Sequence, residues 1–331
     1  VSRCSDELDV DLSHWRIAGN GAEPIQLDTL EAFLEKFEPK GFKWSAYNPM
    51  YGLAESTVAV TCKPEVSKPI RELHVSKAAL LEGVIQEVTS QGDDCLRMPS
   101  VGRTWLDQEV RIVAPASMQT CTGNEVGEIL LKSGSVARGY WQNEEETNKV
   151  FLSAGEHAGF IRTGDMGIFR DGQIYVTGRL KDLLIVRGQN HWPQDLEKSI
   201  EGSGANIRPG SAAAVADSKE RVYLFAEVRQ DAGEADIDQL LTVMTEVHGV
   251  SPYRVVLLRP KNIKKTTSGK LRRKATLKAY EAGKLKVALE RQVQEEALAK
   301  QDIPALLARI TGKHLTAAEK RKTFSALGYD S

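Results

Sequence analysis

Tyr51-Gly52-Leu53-Ala54-Glu55-Ser56-Thr57 places an aromatic ring, a glycine, a carboxylate and two hydroxyls within seven positions. An aromatic face can stack on a base, a carboxylate can hold Mg2+, and hydroxyls can meet phosphate. Taken alone, the run reads equally well as a core tyrosine beside a surface glutamate.

Upstream, Trp15–Ala18 reads as a strand that enters the turn Gly19-Asn20-Gly21. A helix follows, with Asp28 and Glu31 spaced as a capping box and Leu30, Phe33, Leu34 and Phe37 on one apolar face. Pro39 and Gly41 end it. Strand, glycine turn and helix are α/β material. The small residues of Asn20-Gly21-Ala22-Glu23-Pro24 let a backbone approach a flat ligand, although an ordinary strand-to-helix turn has the same composition.

Downstream, residues 100–180 change to short β segments, Val110–Val113, Glu128–Lys132 and Gly159–Arg162, which predict a small barrel or sandwich. Gly167–Phe169 and Gln173–Thr177 flank Arg-Asp-Gly, a hairpin signal. From Leu183 the chain alternates again: a strand to Val186, a helix over Pro193–Ile200, and strands at Ala212–Ala216 and Val222–Val228. A helix around Ile237, Leu240, Leu241, Met244 and Val247 and a strand at Val255–Leu258 complete a compact α+β domain. Residues 281–301 are rich in Glu, Lys, Gln and Ala and predict a solvated helix or linker. Asp302 to Ser331 opens a short helical unit.

Composition excludes several classes of protein. A net charge of −1, with 41% hydrophobic and 27% charged residues, carries no bulk signal for nucleic acid. No apolar run is long enough to span a bilayer, and no signal peptide is visible. Cys4, Cys62, Cys95 and Cys121 form no CxxC pair, which points to idle thiols in a reducing cytoplasm rather than a metal knuckle or disulfide frame. The chain begins at Val1, which reads as a fragment.

Three further segments bear chemistry. Asp165, in Thr163-Gly164-Asp165 at a strand end, suits a ribose diol, since one carboxylate accepts two hydroxyl protons. Gly178-Arg179-Leu180-Lys181-Asp182 lies where the β region gives way, as a hinge or a surface salt-bridge cluster. Lys264-Lys265-Thr266-Thr267-Ser268-Gly269-Lys270 is a hydroxyl- and glycine-rich loop that can carry a cation to a phosphate or carboxylate. With Arg272-Arg273-Lys274 beside it, it also reads as a basic solvated patch.

In their order and spacing these segments resemble the later motifs of the adenylate-forming superfamily, and Gly127-Glu128-Ile129 through Gly139-Tyr140-Trp141 matches another. Within it, the chain is most similar to fatty acyl-AMP ligases. Ala54 stands where acyl-CoA synthetases usually carry Thr, Arg187–Glu197 resembles the ligases' own segment, and the interval from Glu55 to Gly102 is long, like an insertion that disfavours CoA release.

The resemblance implies ATP and Mg2+ as cofactors and a fatty acid as substrate. Tyr51 with Gly52 and the turn Asn20, Gly21, Ala22 and Glu23 would line adenine. Glu55 would hold Mg2+, Asp165 and Arg179 would grip ribose, Lys181 would be a hinge and Lys270 the catalytic lysine. The expected architecture is α/β and α+β multidomain. It consists of the later part of the large domain over 1–180, an α/β piece plus a small β-barrel, then a compact α+β lid over 181–280 and a charged linker over 281–301. The superfamily's phosphate loop has no match here. Phe324–Ser331 resembles the start of a carrier domain (302–331) with Ser331 bearing 4′-phosphopantetheine. The implied partners are that acyl carrier, in cis or in trans, and downstream synthase modules of polyketide, peptide or lipid synthesis. An acyl-CoA synthetase and a non-catalytic docking or carrier module stay open as alternatives, separated by testing CoA against a carrier thiol and by ATP–pyrophosphate exchange.

Overall fold

The computed structural model describes residues 8–65, 68–89, 92, 94–186, 188–229 and 232–293. Contacts divide these into two units. One holds the residues up to Lys198 together with Lys265–Arg272; the other holds Ser199–Lys264 and the described residues from Arg273 on.

The first unit opens with strand β1 (Ala18–Asn20) and helix α1 (Leu27–Phe37). β1 pairs in parallel with β2 (Tyr47–Tyr51), and β3 (Thr61–Cys62) and β6 (Arg103–Thr104) complete a four-stranded sheet in the order β1-β2-β3-β6. The turn after β1 and the Tyr51 run after β2 thus leave the carboxyl ends of neighbouring parallel strands, where open α/β sheets present ligand sites. Leu30 and Phe37 of α1 are buried with Phe42 and Tyr47, and Phe42 meets Phe33 and Tyr47 edge-on at 5.1 and 4.9 Å. Sequence placed a capping box at Asp28 and Glu31. Instead Gln26 occupies the N-cap with no side-chain hydrogen bond, and Asp28 pairs with Lys198 at 2.5 Å.

The long interval after Glu55 folds into a hairpin of its own. β4 (Glu72–Ser76) runs antiparallel to β5 (Cys95–Pro99), with the short helix α2 (Lys77–Leu81) between them. Leu73, Val75, Leu80, Ile85 and Met98 pack it onto Ile168 and Tyr175.

β7 (Glu109–Val113), β8 (Gly127–Lys132), β9 (Ile161–Arg170) and β10 (Gln173–Arg179) form an antiparallel sheet in chain order. Each strand pairs with its chain neighbour, and among the described residues β7 and β10 do not pair, so the sheet does not close on itself as the expected barrel would; Ile174 of β10 instead exchanges backbone hydrogen bonds with Val101 and Gly102, both at 2.9 Å. The two segments expected at Gly159–Arg162 and Gly167–Phe169 are one strand. The Arg-Asp-Gly hairpin is present, with Gln173 opposite Arg170. Helix α3 (Glu144–Val150) is capped by Asn143, whose side chain accepts the Glu146 amide at 3.2 Å.

After the turn at Lys181, β11 (Leu184–Val186) and β12 (Gln189–His191) make a hairpin, and α4 (Pro193–Gly202) begins. This hairpin and the first residues of α4 follow the expected boundary at 180 yet group with the first unit. Buried Trp192 explains part of this: a Cβ on Gly178 would lie 2.4 Å from its ring, so the glycine lets the indole sit directly on the β10 backbone.

The second unit is a mixed sheet in the order β13-β14-β15-β16, from β13 (Ile207–Ala216), β14 (Val222–Val228), β15 (Arg254–Leu258) and β16 (Val287–Gln292). Every residue of β14 is buried, as a strand covered on both faces requires, and its pairing with β15 is parallel. Helix α5 (Glu234–His248) buries Ile237, Leu240 and Met244, and α6 (Arg273–Glu281) buries Thr276 and Leu277.

β16 corrects the reading of 281–301 as a helix or linker. Val287–Gln292 is charged yet pairs antiparallel with β15, because an edge strand needs only one apolar face and Glu290 and Arg291 can turn to solvent and to ion pairs. The expected carrier segment 302–331, including Ser331, lies outside the described residues, as does Arg187. No described helix is long and apolar enough to cross a membrane.

Candidate active site

The Tyr51 run is built on strain and close approach. Ala54–Ser56 forms a single 3-10 turn, and Thr57 and Val58 both adopt left-handed backbone (φ 54 and 75°), which β-branched residues rarely do. Gly52 is obligatory, since a Cβ there would stand 1.5 Å from the Val58 carbonyl oxygen. Gly52→Ala is expected to cost about 1–3 kcal/mol of stability and to displace Tyr51, which a denaturant titration and AMP binding will show.

Tyr51 leaves β2 with its hydroxyl donating to Asp165 Oδ2 at 2.8 Å, while Arg179 Nε donates to Asp165 Oδ1 at 3.0 Å. The register explains the meeting: Asp165 and Arg179 are direct partners across β9 and β10. Asp165 is itself buried, and its backbone N–H is held by the Thr163 hydroxyl. Burial pushes its carboxyl above the usual value, and Arg179 and Tyr51 pull it back. Burial, reinforced by the Asp165 charge, holds the Tyr51 phenol well above its ordinary value, so it stays a donor.

These three side chains line a cavity of about 190 Å3, whose wall also takes in Ala22, Glu23 and Gly52. The volume is below the ~300–1,000 Å3 of a site enclosing a drug-sized ligand, and suits part of a nucleotide. The turn that supplies Ala22 is pinned by close approach, because a Cβ on Gly21 would lie 2.6 Å from the Met50 carbonyl. The structure therefore brings Ala22, Glu23, Tyr51, Gly52, Asp165 and Arg179 to one cavity, with Asn20 and Gly21 just outside its wall.

Glu55 stands outside that wall as well. Its carboxylate accepts from the Tyr140 hydroxyl at 2.6 Å, and its backbone carbonyl from Ala137 N–H at 2.7 Å. No group of three or more His, Cys, Asp or Glu able to hold a metal exists among the described residues. A single carboxylate nonetheless fits Mg2+, which favours one or two protein carboxylates and completes its shell with water and phosphate.

Lys181 is exposed on the turn between β10 and β11. Lys270 lies in the Lys265–Arg272 loop, closed by a bridge between Lys265 and Leu271, where Lys270 N donates to the Thr266 hydroxyl at 3.0 Å. It is not part of the cavity wall.

Sequence reasoning missed the far wall. Trp192, Gln194 and Asp195 all border the cavity, and Gln194 donates to the Thr177 carbonyl at 2.8 Å. Thr177 sits where the β9–β10 register shifts, and its buried hydroxyl has no partner among the described residues. Burial pushes the Asp195 carboxyl up to about 6. The available signal was a Trp-Pro-Gln-Asp helix start soon after Lys181; it carried a resemblance but suggested no contact.

Residues 3–141 match the family of AMP-binding enzymes, and residues 181–290 match the AMP domain of Disco-interacting protein 2-like proteins. A medium-chain-fatty-acid–[acyl-carrier-protein] ligase, JamA of Moorena producens, is 38% identical over 80% of this chain and 47% of its own length. A 4-hydroxyphenylalkanoate adenylyltransferase of Mycobacterium marinum is 37% identical over 85% of this chain and 47% of that protein. A solved structure from studies of fatty acyl-adenylate ligases of E. coli and L. pneumophila superimposes with a TM-score of 0.73 at 32% identity, covering 82% of this chain and 49% of the other. The chain thus spans about half the length of the relatives it matches. Over residues 3–141 its likeness is to the family of AMP-binding enzymes. Within that family, the likeness is to fatty acyl-AMP ligases.

Proposed function

We propose that this chain supplies the nucleotide grip of a ligase that activates a fatty acid with ATP to acyl-AMP and passes the acyl group to a phosphopantetheine thiol. The observation that carries the reading is the Tyr51–Asp165–Arg179 cluster bordering the cavity beside the Ala22–Glu23 turn. Adenine stacks on Tyr51 against the Asn20–Pro24 turn, and the ribose hydroxyls donate to Asp165, which Arg179 keeps charged. Glu55 holds the Mg2+ that the nucleotide phosphates bring. Lys181 is the hinge, and Lys270 lies between the attacking carboxylate and the α-phosphate.

In that reaction the fatty carboxylate oxygen bonds to the α-phosphorus and pyrophosphate leaves. The carrier thiol then attacks the acyl carbon, loses its proton and releases AMP. A fatty acid in place of an amino acid, and a carrier in place of CoA, are supported by the names of the relatives, one of which is an acyl-carrier-protein ligase. The segment ending at Ser331, which lies outside the described residues, is the proposed start of the receiving carrier domain, with downstream synthase modules as further partners.

The test is ATP–pyrophosphate exchange with and without a fatty acid, followed by acyl transfer to a pantetheinylated carrier or to CoA. The reading expects exchange that depends on the fatty acid and transfer to the carrier. Equal transfer to CoA would favour an acyl-CoA synthetase, and exchange stimulated only by amino acids would contradict the reading.

A further inference from the structure

Glu55 does not stand on its own turn alone. The segment Ser133–Tyr140 is stitched to it at four further points. The Ser56 and Ser135 hydroxyls meet at 3.2 Å, the Thr57 hydroxyl donates to the Ser135 carbonyl at 2.9 Å, the Ser135 hydroxyl donates to the Ser56 carbonyl at 3.3 Å, and Ala137 N–H donates to the Glu55 carbonyl at 2.7 Å. Tyr140 ends this segment and reaches back to the Glu55 carboxylate.

The tyrosine is itself fixed. Its backbone N–H donates to the Thr147 hydroxyl at 2.9 Å, and its ring meets Phe151 edge-on at 5.6 Å. A Cβ on Gly139 would lie 2.6 Å from Thr147, so only glycine lets the chain approach α3 this closely. Hydroxyl-to-carboxylate bonds of this length are charge-assisted and directional. The bond occupies Oε1 and leaves Oε2 without a hydrogen bond among the described residues.

We propose that Tyr140 is a positioning residue: its hydroxyl ties down one oxygen of Glu55 so that the other is presented to the divalent cation that accompanies the nucleotide. The inference rests on the reading of Glu55 as the residue that holds the cation. The phenol is suited to the task, because its hydroxyl donates to the carboxylate while its ring and backbone are held by Phe151 and Thr147. Partners that orient a metal-binding side chain typically contribute 10–100-fold to metal affinity.

The experiment is a titration of the 331-residue chain with manganese(II) in the presence of ADP, followed by electron paramagnetic resonance. Tyr140→Phe keeps the ring and its contact with Phe151, and its thermal midpoint is measured alongside. The expected result is manganese binding weakened about 10-fold, with the melting temperature and the ADP affinity measured without metal both unchanged, and with Glu55→Gln losing more than Tyr140→Phe. A purely structural tyrosine would move the melting temperature and not the metal affinity. Manganese binding by Tyr140→Phe that equals or exceeds the wild type, while Glu55→Gln is impaired, overturns the proposal. If Glu55→Gln binds manganese as the wild type does, the reading of Glu55 fails and the proposal falls with it.

Discussion

Replacing Lys270 with alanine is expected to slow fatty-acid-dependent ATP–pyrophosphate exchange by about 10²–10³-fold, the loss that follows removal of one preorganised charge from a developing anion. The fatty carboxylate and the α-phosphate are both negative and must be brought in line, so a cation between them lowers the barrier directly. The Lys270 side chain is partly exposed and has no ion pair among the described residues, and its loop is held by backbone and threonine hydrogen bonds that alanine keeps. Stability should therefore change by no more than about 0.5 kcal/mol. An exchange rate within a few-fold of the wild type would remove Lys270 from the chemistry. A large fall in melting temperature would instead assign the loss to folding.

Asp165→Ala is expected to weaken AMP binding by about 10²-fold, measured by calorimetry. A hydrogen bond to a charged group is worth about 1.5–3 kcal/mol, and each 1.4 kcal/mol is tenfold in affinity. Two ribose hydroxyls on one carboxylate exceed that loss before the disturbance of Tyr51 and Arg179 is counted. Tyr51→Phe serves as the control, since it removes the bond to Asp165 and keeps the aromatic face. The pH dependence has a definite sign. Burial raises the Asp165 pKa, so the charged acceptor is lost, and affinity falls, at a higher pH than for an ordinary aspartate.

Much of the fold was legible wherever periodicity was strong. β14 appeared at its observed limits because Val222–Val228, apolar but for Glu227 and rich in β-branched and aromatic residues, is short enough to read as a buried strand. The helix carrying Ile237, Leu240 and Met244 showed its buried face at helical spacing. β16 was illegible for the opposite reason: an edge strand with Glu290 and Arg291 at its surface has the composition of a linker, and only its partner β15 makes it a strand. The barrel was expected because short β segments announce pairing but not closure, which depends on edges that sequence does not display.

The site divides in the same way. Tyr51, Asp165 and Arg179 could be chosen from motifs, since each carries chemistry in a recognisable run. That Asp165 and Arg179 face each other follows from a hairpin register, and that Tyr51 reaches them follows from how two sheets come together, which no local pattern encodes. Tyr140 lay inside a quoted motif without a role, because its partner is 85 positions away in sequence.

The central proposal is that this cavity receives the nucleotide part of a fatty acyl-adenylate. The most direct measurement is a calorimetric titration of the chain with a non-hydrolysable fatty acyl sulfamate of adenosine, set beside the aminoacyl counterpart and repeated with Asp165→Ala. The account predicts saturable binding of the fatty mimic, tighter than that of the aminoacyl one and about 10²-fold weaker in the variant. Binding that prefers the aminoacyl mimic, or that Asp165→Ala leaves unchanged, would contradict it.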